Sequence, residues 1–350
     1  MPITWLLKGQ TEAGNMNFIK TMMLGVMLMT PGKAFAENPV DWVRAALHNR
    51  AATLPDGSSE IAAINGTLSR IRNLVLPQTG RVIVVNIASG VVTAYEDGEP
   101  VIESKAVVGN KATPTPELDN TVTFIRPNPT WTVPQSIIAR KNWRDKLASD
   151  PEFFENSGFD VVLDGQTMSA FDAADRASEV TTFVQRPGEN NALGALKIGL
   201  SNDQAIYMHD TNDPGKFEDA VRSASAGCVR IEQVRDIAAW VLQVPTVQVD
   251  EWISSGDMRN HTPPEPVRVI IGYWTAWPDS SDRIRFYPDI YKKDGEGFVS
   301  TSEGDSDPIG DAPEWASQVE GSGQVEESGP RFIPKSEIQP EPIYTERSLQ

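Results

Sequence analysis

"RVIVVNIASGVVTAYEDGEPVIESKAVVG", Arg81 to Gly109, is dense in β-branched residues and broken at Ser89-Gly90 and Asp97-Gly98-Glu99-Pro100. Branched side chains suit a pleated, half-buried surface, and glycine and proline pairs mark chain reversals. The stretch therefore reads as strands joined by hairpin turns. "NTVTFIRPNPTWTVPQSI", from Asn120, continues as a strand that ends among prolines. "VRVIIGYWTAW", from Val267, and "IRFYPDIY", from Ile284, return to the same pattern. Many short strands separated by turn residues predict a β-rich sandwich or barrel.

Upstream, residues 37–78 form a helical leader. "NPVDWVRAALHNRAATL" and "SEIAAINGTLSRIRNLVL" carry apolar residues at steps of three and four, with Asn38 and Ser59 as candidate N-caps. Downstream, residues 136–184 interrupt the strands. "SIIARKNWRDKLASDPEFFENSG" reads as one or two short helices and "FDVVLDG" as a small hairpin arm. This predicts an insertion packed over the sheet. "PGENNALGALKIGL" then turns into the strand "AIYMHD", and a helical spacing through Val234, Ile237, Ala238 and Val241 follows Cys228.

The two ends differ in character. "MNFIKTMMLGVMLMTPGKAFAENPV" has Lys20, an apolar run from Met22 to Met29 and then Ala34-Phe35-Ala36. That is the layout of a cleavable export signal, expected to span 1–36 with its start at Met16. The run is shorter than the roughly 20 residues that cross a bilayer. Release into the periplasm is the expectation. From Asp294 to Gln350 there are 13 acidic residues and 3 basic ones, which is −10 of the net −17. That tail, 294–350, is too poor in aliphatic residues to offset chain entropy and reads as disordered. The remainder is mildly acidic, which argues against a nucleic-acid binder.

Chemistry concentrates in "HDTNDPGKFEDAVRSASAGCVRI", His209 to Ile231, which holds the only cysteine and one of three histidines. A lone cysteine in an exported chain is a free thiol, an intermolecular bridge or an inert core residue. One cysteine and one nearby histidine are too few ligands for a zinc site, and no Gly-rich run ends as a phosphate loop does. Nucleophilic catalysis needs less: a thiolate, a base and donors for an oxyanion. Cys228 is the candidate nucleophile and His209 the candidate base. Gly227 lets the backbone approach closely, so the N–H groups of Gly227 and Cys228 are candidate oxyanion donors. Arg230 is placed to hold a carboxylate in a two-pronged grip. His48 and His261 have no chemical neighbours in the sequence and are given no role.

The segment resembles the active-site motif of the L,D-transpeptidase (YkuD) family, a histidine followed after a spacer by Ser-x-Gly-Cys-x-Arg. The matching residues are His209-Asp210-Thr211, then Phe217 and Arg222, then Ser225-Ala226-Gly227-Cys228-Val229-Arg230. "VVGNKATPTPELDNTVTFIRPNPTWTVPQSI", "RPGENNALGALKIGL" and "YWTAWPDSSDRIRFYPDIY" are similar to the YcbB-type periplasmic branch, over roughly residues 66–293.

The resemblance implies an α+β fold, mainly β with short helices. It implies a β-sandwich-like catalytic domain over 79–293 whose 136–184 insertion caps the site. It implies attack by Cys228 on the bond before D-alanine in a peptidoglycan tetrapeptide stem. D-Alanine leaves, and a diaminopimelate amine of a second stem resolves the thioester as a 3→3 cross-link. His209 shuttles protons, the Asp210 carbonyl orients it, and Ser225 supports the turn. Tyr207 and Trp131 line the groove or serve as core aromatics. No cofactor and no metal are implied. Other acceptors of the same thioester are water, a lysine of an outer-membrane protein or a free D-amino acid. A silent wall-binding module is the reading from another class. The departure is Ala226, where many members carry a second histidine, and it leaves His209 as the base.

Overall fold

The computed structural model describes residues 40–279 and 281–294. The expected export signal and all but the first residue of the acidic tail lie outside them. Among the described residues no helix is long and apolar enough to cross a membrane.

Two helices come first, α1 (Asp41–Ala51) and α2 (Ser59–Arg70). The cap of α2 is Ser58, not Ser59: its hydroxyl accepts the N–H of Ile61. One residue earlier, the side chain can turn back to the free N–H groups of the first turn.

Four strands follow: β1 (Arg81–Asn86), β2 (Val91–Glu96), β3 (Glu99–Gly109) and β4 (Leu118–Pro127). The inserted region contains β5 (Trp131–Thr132), α3 (Gln135–Arg140), α4 (Trp143–Ser149), α5 (Pro151–Asn156), β6 (Phe159–Leu163), β7 (Gln166–Ser169), α6 (Ala170–Ala173) and β8 (Thr182–Gln185). The chain then re-enters the main sheet with β9 (Leu196–Leu200), β10 (Met208–His209), β11 (Ser223–Ser225) and β12 (Val229–Ile231). Helices α7 (Val234–Leu242) and α8 (Thr246–Ser254) precede β13 (Arg268–Gly272), β14 (Ala276–Pro278) and β15 (Ile284–Phe286).

Long strands β3 and β4 each serve two halves of the sheet. The first part of β3 pairs with β2 and its end pairs with β12. β4 pairs first with β13 and then with β9, with a register shift between Val122 and Phe124. The sheet thus folds into two layers that share their corner strands, the sandwich-like α+β architecture expected.

Side-chain alternation sorts the layers. Ile83 and Val85 face inward with Ile198, Met208, Val229 and Ile231, and α7 adds Ile237 and Val241 to this core. Val82 and Val84 face the other way and bury a second apolar set with Val43, Leu47 and Ile64 of α1 and α2. The insertion has its own core, built on Trp143, Phe154, Phe159 and Phe183. It begins earlier than 136: β5 pairs with β8 and belongs to it. Asn128 and Asn191 fix the two crossings. The Asn128 amide donates to the carbonyls of Trp252, Ile253 and Asp257, and the Asn191 amide donates to Pro129.

Candidate active site

Strand β10 places the site. Met208 stands level with Val229 and Ile198, and all three are buried in the core. His209 therefore projects from the opposite face. Its partners in register are Arg230 on β12 and Lys197 on β9. Lys197 in turn pairs with Arg126 on β4. Arg230, His209, Lys197 and Arg126 thus form one row across four neighbouring strands, each about 4.8 Å from the next.

Two residues along the strands, and so on the same face, the same registers align Cys228, Tyr207, Gly199 and Phe124. The Val229 N–H donates to the Tyr207 carbonyl at 3.2 Å. The Tyr207 and His209 rings lie 5.5 Å apart. Gly199 gives room to the Phe124 ring, since a Cβ there would come within 2.5 Å of it. The nucleophile and base candidates are thus brought together by strand register across one face.

The turn before Cys228 is held from several sides. The Ser225 hydroxyl donates to the Cys228 carbonyl at 2.5 Å and accepts the Gly227 N–H at 3.1 Å. The buried Thr115 hydroxyl donates to the Gly227 carbonyl at 2.7 Å and accepts the Gly109 N–H at 2.8 Å. Tyr291 completes the brace: its hydroxyl donates to the Gly109 carbonyl at 2.6 Å and accepts the Thr115 N–H at 3.0 Å. Gly227 has φ +119°, a conformation that favours glycine.

This arrangement alters one expectation. The Gly227 N–H is committed to Ser225, so it is no free oxyanion donor. The Cys228 N–H makes no hydrogen bond to the described residues and is the candidate donor that remains.

Burial is the largest influence on both reacting groups. It pushes the Cys228 thiol up, while the Tyr207 N–H and hydroxyl and the Lys197 and Arg230 cations pull it partly back. The cysteine is half-exposed as a residue, but its sulfur sits among packed atoms, 3.8 Å from the Ala205 carbonyl. The His209 imidazole is pushed down to about 3, first by burial and next by Arg230. The carbonyls of Asp210 and Leu193 act in the opposite direction, although the buried Nδ1 closes no hydrogen bond of normal geometry. Thiol and imidazole are thus both held in their neutral forms, on one face of adjacent strands. The Arg230 guanidinium is largely desolvated, and its Nε is buried without a partner. Such a cation stands ready for an anion brought from outside.

Trp131 lies elsewhere. Its ring packs against Trp143 and Phe159 of the inserted core at 6.3 and 6.2 Å. His261 stacks on Trp252 at 3.8 Å and meets Asp257 at 3.0 Å. Arg222 ties its guanidinium to the carbonyls of Ser89 and Gly90. Lys197, Leu193, Ala205, Thr115 and Tyr291 were not singled out from sequence. Their places at the site come from register and long-range pairing, which residue type does not signal. Among the described residues no group of three or more His, Cys, Asp or Glu side chains converges.

The family model described as the L,D-transpeptidase catalytic domain, YkuD, matches residues 80–271. A Haemophilus influenzae protein named, provisionally, as an L,D-transpeptidase is 28% identical over 232 residues. The match takes in 63% of this chain and 46% of that protein, so the chain spans about half the length of the relative. Among solved structures, an L,D-transpeptidase from Mycobacterium smegmatis is 16% identical, with a TM-score of 0.27 over 54% of this chain and 58% of the other. One from Mycobacterium tuberculosis H37Rv is 14% identical, with a TM-score of 0.25 over 54% and 57%.

Proposed function

The chain belongs to the L,D-transpeptidase catalytic domain family, and on that premise we propose that it cross-links peptidoglycan stem peptides through a thioester on Cys228. The observation that carries the proposal is the register that sets Cys228 and a neutral His209 on one face of adjacent strands.

The chemistry follows from the groups at hand. His209 takes the thiol proton as the sulfur attacks the carbonyl before the terminal D-alanine of a tetrapeptide stem. The oxyanion accepts from the Cys228 N–H. The C–N bond breaks, and the leaving amine of D-alanine takes the proton from His209. The thioester remains. The side-chain amine of diaminopimelate on a second stem then attacks it, gives a proton to His209 and expels the sulfur, which recovers that proton. The product is a 3→3 cross-link. Arg230 holds a carboxylate of the donor beside the sulfur.

The inserted element, with a core of its own beside the β4–β9 crossing, supports assignment to the YcbB-type branch and a role as a cap that excludes water. An export signal at 1–36 would deliver the chain to the periplasm, where these stems are. Retention of both Cys228 and His209 favours an enzyme over a silent wall-binding module.

The test is incubation of the full chain with a disaccharide-tetrapeptide, read by mass spectrometry. A dimer less one D-alanine supports cross-linking. A tripeptide alone means water is the acceptor. A D-amino acid adduct or linkage to a protein lysine would identify the other acceptors. Cys228→Ala and His209→Ala should each abolish product while keeping the wild-type circular dichroism. Near-normal activity in either, or no acylation of Cys228 by a carbapenem, would overturn the mechanism.

A further inference from the structure

Lys197 and Arg126 are the cations of the reactive row with no part in the chemistry above, and Lys197 is the nearer to His209. It stands directly across from His209 on β9, half-buried. Its ammonium leans along the strands over the Tyr207 ring, 4.5 Å from the centroid, and lies 6.0 Å from that of Phe124. That lean brings the charge back toward the level of Cys228. The two other cations of the row are differently placed. Arg230 shares a strand with Cys228 on the far side of His209. Arg126 lies one strand beyond Lys197, where it donates to Asn260 at 2.7 Å and rests over Phe124 at 5.3 Å.

The direction of bond cleavage can be laid over this row. The attacked carbonyl must sit at the Cys228 sulfur. The leaving nitrogen must sit within reach of His209, which protonates it. His209 is one strand over from Cys228, so the leaving residue runs on toward the next strand, which carries Lys197. From the leaving nitrogen to the carboxyl carbon is two bonds, about 2.5 Å. A neighbouring strand is about 4.8 Å away. The terminal carboxylate of a leaving residue therefore falls between His209 and the Lys197 ammonium. A peptide that continued past this residue would present a neutral amide there instead.

We propose that Lys197 binds the terminal carboxylate of the leaving residue and so selects donors that end one residue after the attacked bond. This rests on the transpeptidase reading above and deepens it: the donor class is a short peptide with a free C-terminal carboxylate next to the scissile amide. Lys197 then touches substrate and sets specificity. Its charge adds a smaller push to the burial and the Arg230 charge that lower the His209 imidazole.

The test is a cycle of two donors and three proteins. The donors are the disaccharide-tetrapeptide with a free C-terminal carboxylate and the same compound as its C-terminal amide. The proteins are wild type, Lys197→Met and Lys197→Arg, and the readout is kcat/KM for release of the terminal residue. Wild type should prefer the carboxylate donor by about 10- to 100-fold, the scale of one hydrogen bond to a charged group. Lys197→Met should lose that preference, falling far more on the carboxylate donor than on the amide. Lys197→Arg should recover most of it. An equal loss on both donors would mean that Lys197 acts only through the field at His209 and Cys228, and would overturn the proposal. So would a wild type indifferent to the terminus.

A second measurement needs no turnover. Calorimetric binding of the two donors to Cys228→Ala, with and without Lys197→Met, should show the same preference and the same loss. If wild type releases nothing from either donor, the transpeptidase reading fails, and the binding pair still decides the role of Lys197. Equal binding of both donors would refute it.

Discussion

Cys228 and His209 are both held neutral on one face of adjacent strands, and this separates the site from cysteine enzymes whose thiolate is preformed by an imidazolium. Burial raises the thiol and lowers the imidazole to about 3, so neither charges the other near neutrality. The sign of the pH dependence follows. A thiol above its ordinary value holds less thiolate than a free cysteine at any given pH, and the fraction grows only as pH rises. Alkylation of Cys228 by iodoacetamide should therefore climb through the alkaline range, with its midpoint above the roughly 8.5 of a free thiol. It should show no plateau between about pH 5 and 8 of the kind an ion pair produces. A fast, flat rate across that interval would refute the neutral pair.

Residue type made these two positions legible, because thiol and imidazole carry chemistry wherever they stand. It could not show that the Gly227 N–H is already spent on Ser225. Nor could it show that Lys197 is drawn to the His209 face, since a lysine within a strand reads as a solvated edge.

The elements that frame the site are unequal in what the sequence reveals of them. β1 through β4 are long enough for their density of β-branched residues to show, and the first two turns carry the expected glycines, Gly90 and Gly98. β10 and β12 have two and three residues, too few for any period. They are fixed by neighbours on either side. The brace on the cysteine turn is equally hidden, because Thr115, Gly109 and Tyr291 come from three separate parts of the chain and meet only on folding. The Thr115 hydroxyl both accepts and donates within a buried network, so removing it leaves the Gly109 N–H and the Gly227 carbonyl unpaired. Thr115→Val should lower kcat by about tenfold, with KM nearly unchanged, because the Cys228 turn loses its fixed geometry before the substrate pocket changes. Thr115→Ser keeps the hydroxyl and should restore kcat. If Thr115→Val lowers kcat and raises KM alike, or Thr115→Ser fails to rescue, the brace has no special bearing on the nucleophile.

For the whole molecule, the arrangement is a sheet folded into two layers, with α1 and α2 on one outer face and the reactive row on the other. The insertion is hung between β4 and β9 on its own aromatic core. The sequence pointed to an insertion over 136–184, because short helices and a small hairpin arm interrupt the strand-like stretches there. It placed the boundary a few residues late, since β5 is only two residues long and is recognisable only through its pairing with β8. Two cores joined by two short crossings should respond separately to damage. Trp143 meets Phe154, Phe159 and Phe183 edge-on at 5.1 to 5.4 Å. Truncating such a ring costs about 3–5 kcal/mol. That is enough to open the insertion locally without reaching the main core, none of whose residues Trp143 shares. In Trp143→Ala, hydrogen exchange should accelerate at amides of β6 and β8, while β1, β9 and β13 keep wild-type protection. Cys228 should stay titratable as before, and under the capping role proposed above, hydrolysis of the proposed thioester should gain on amine transfer. Uniform loss of protection across both regions would instead make the insertion and the sheet one cooperative unit, and would overturn their separate response.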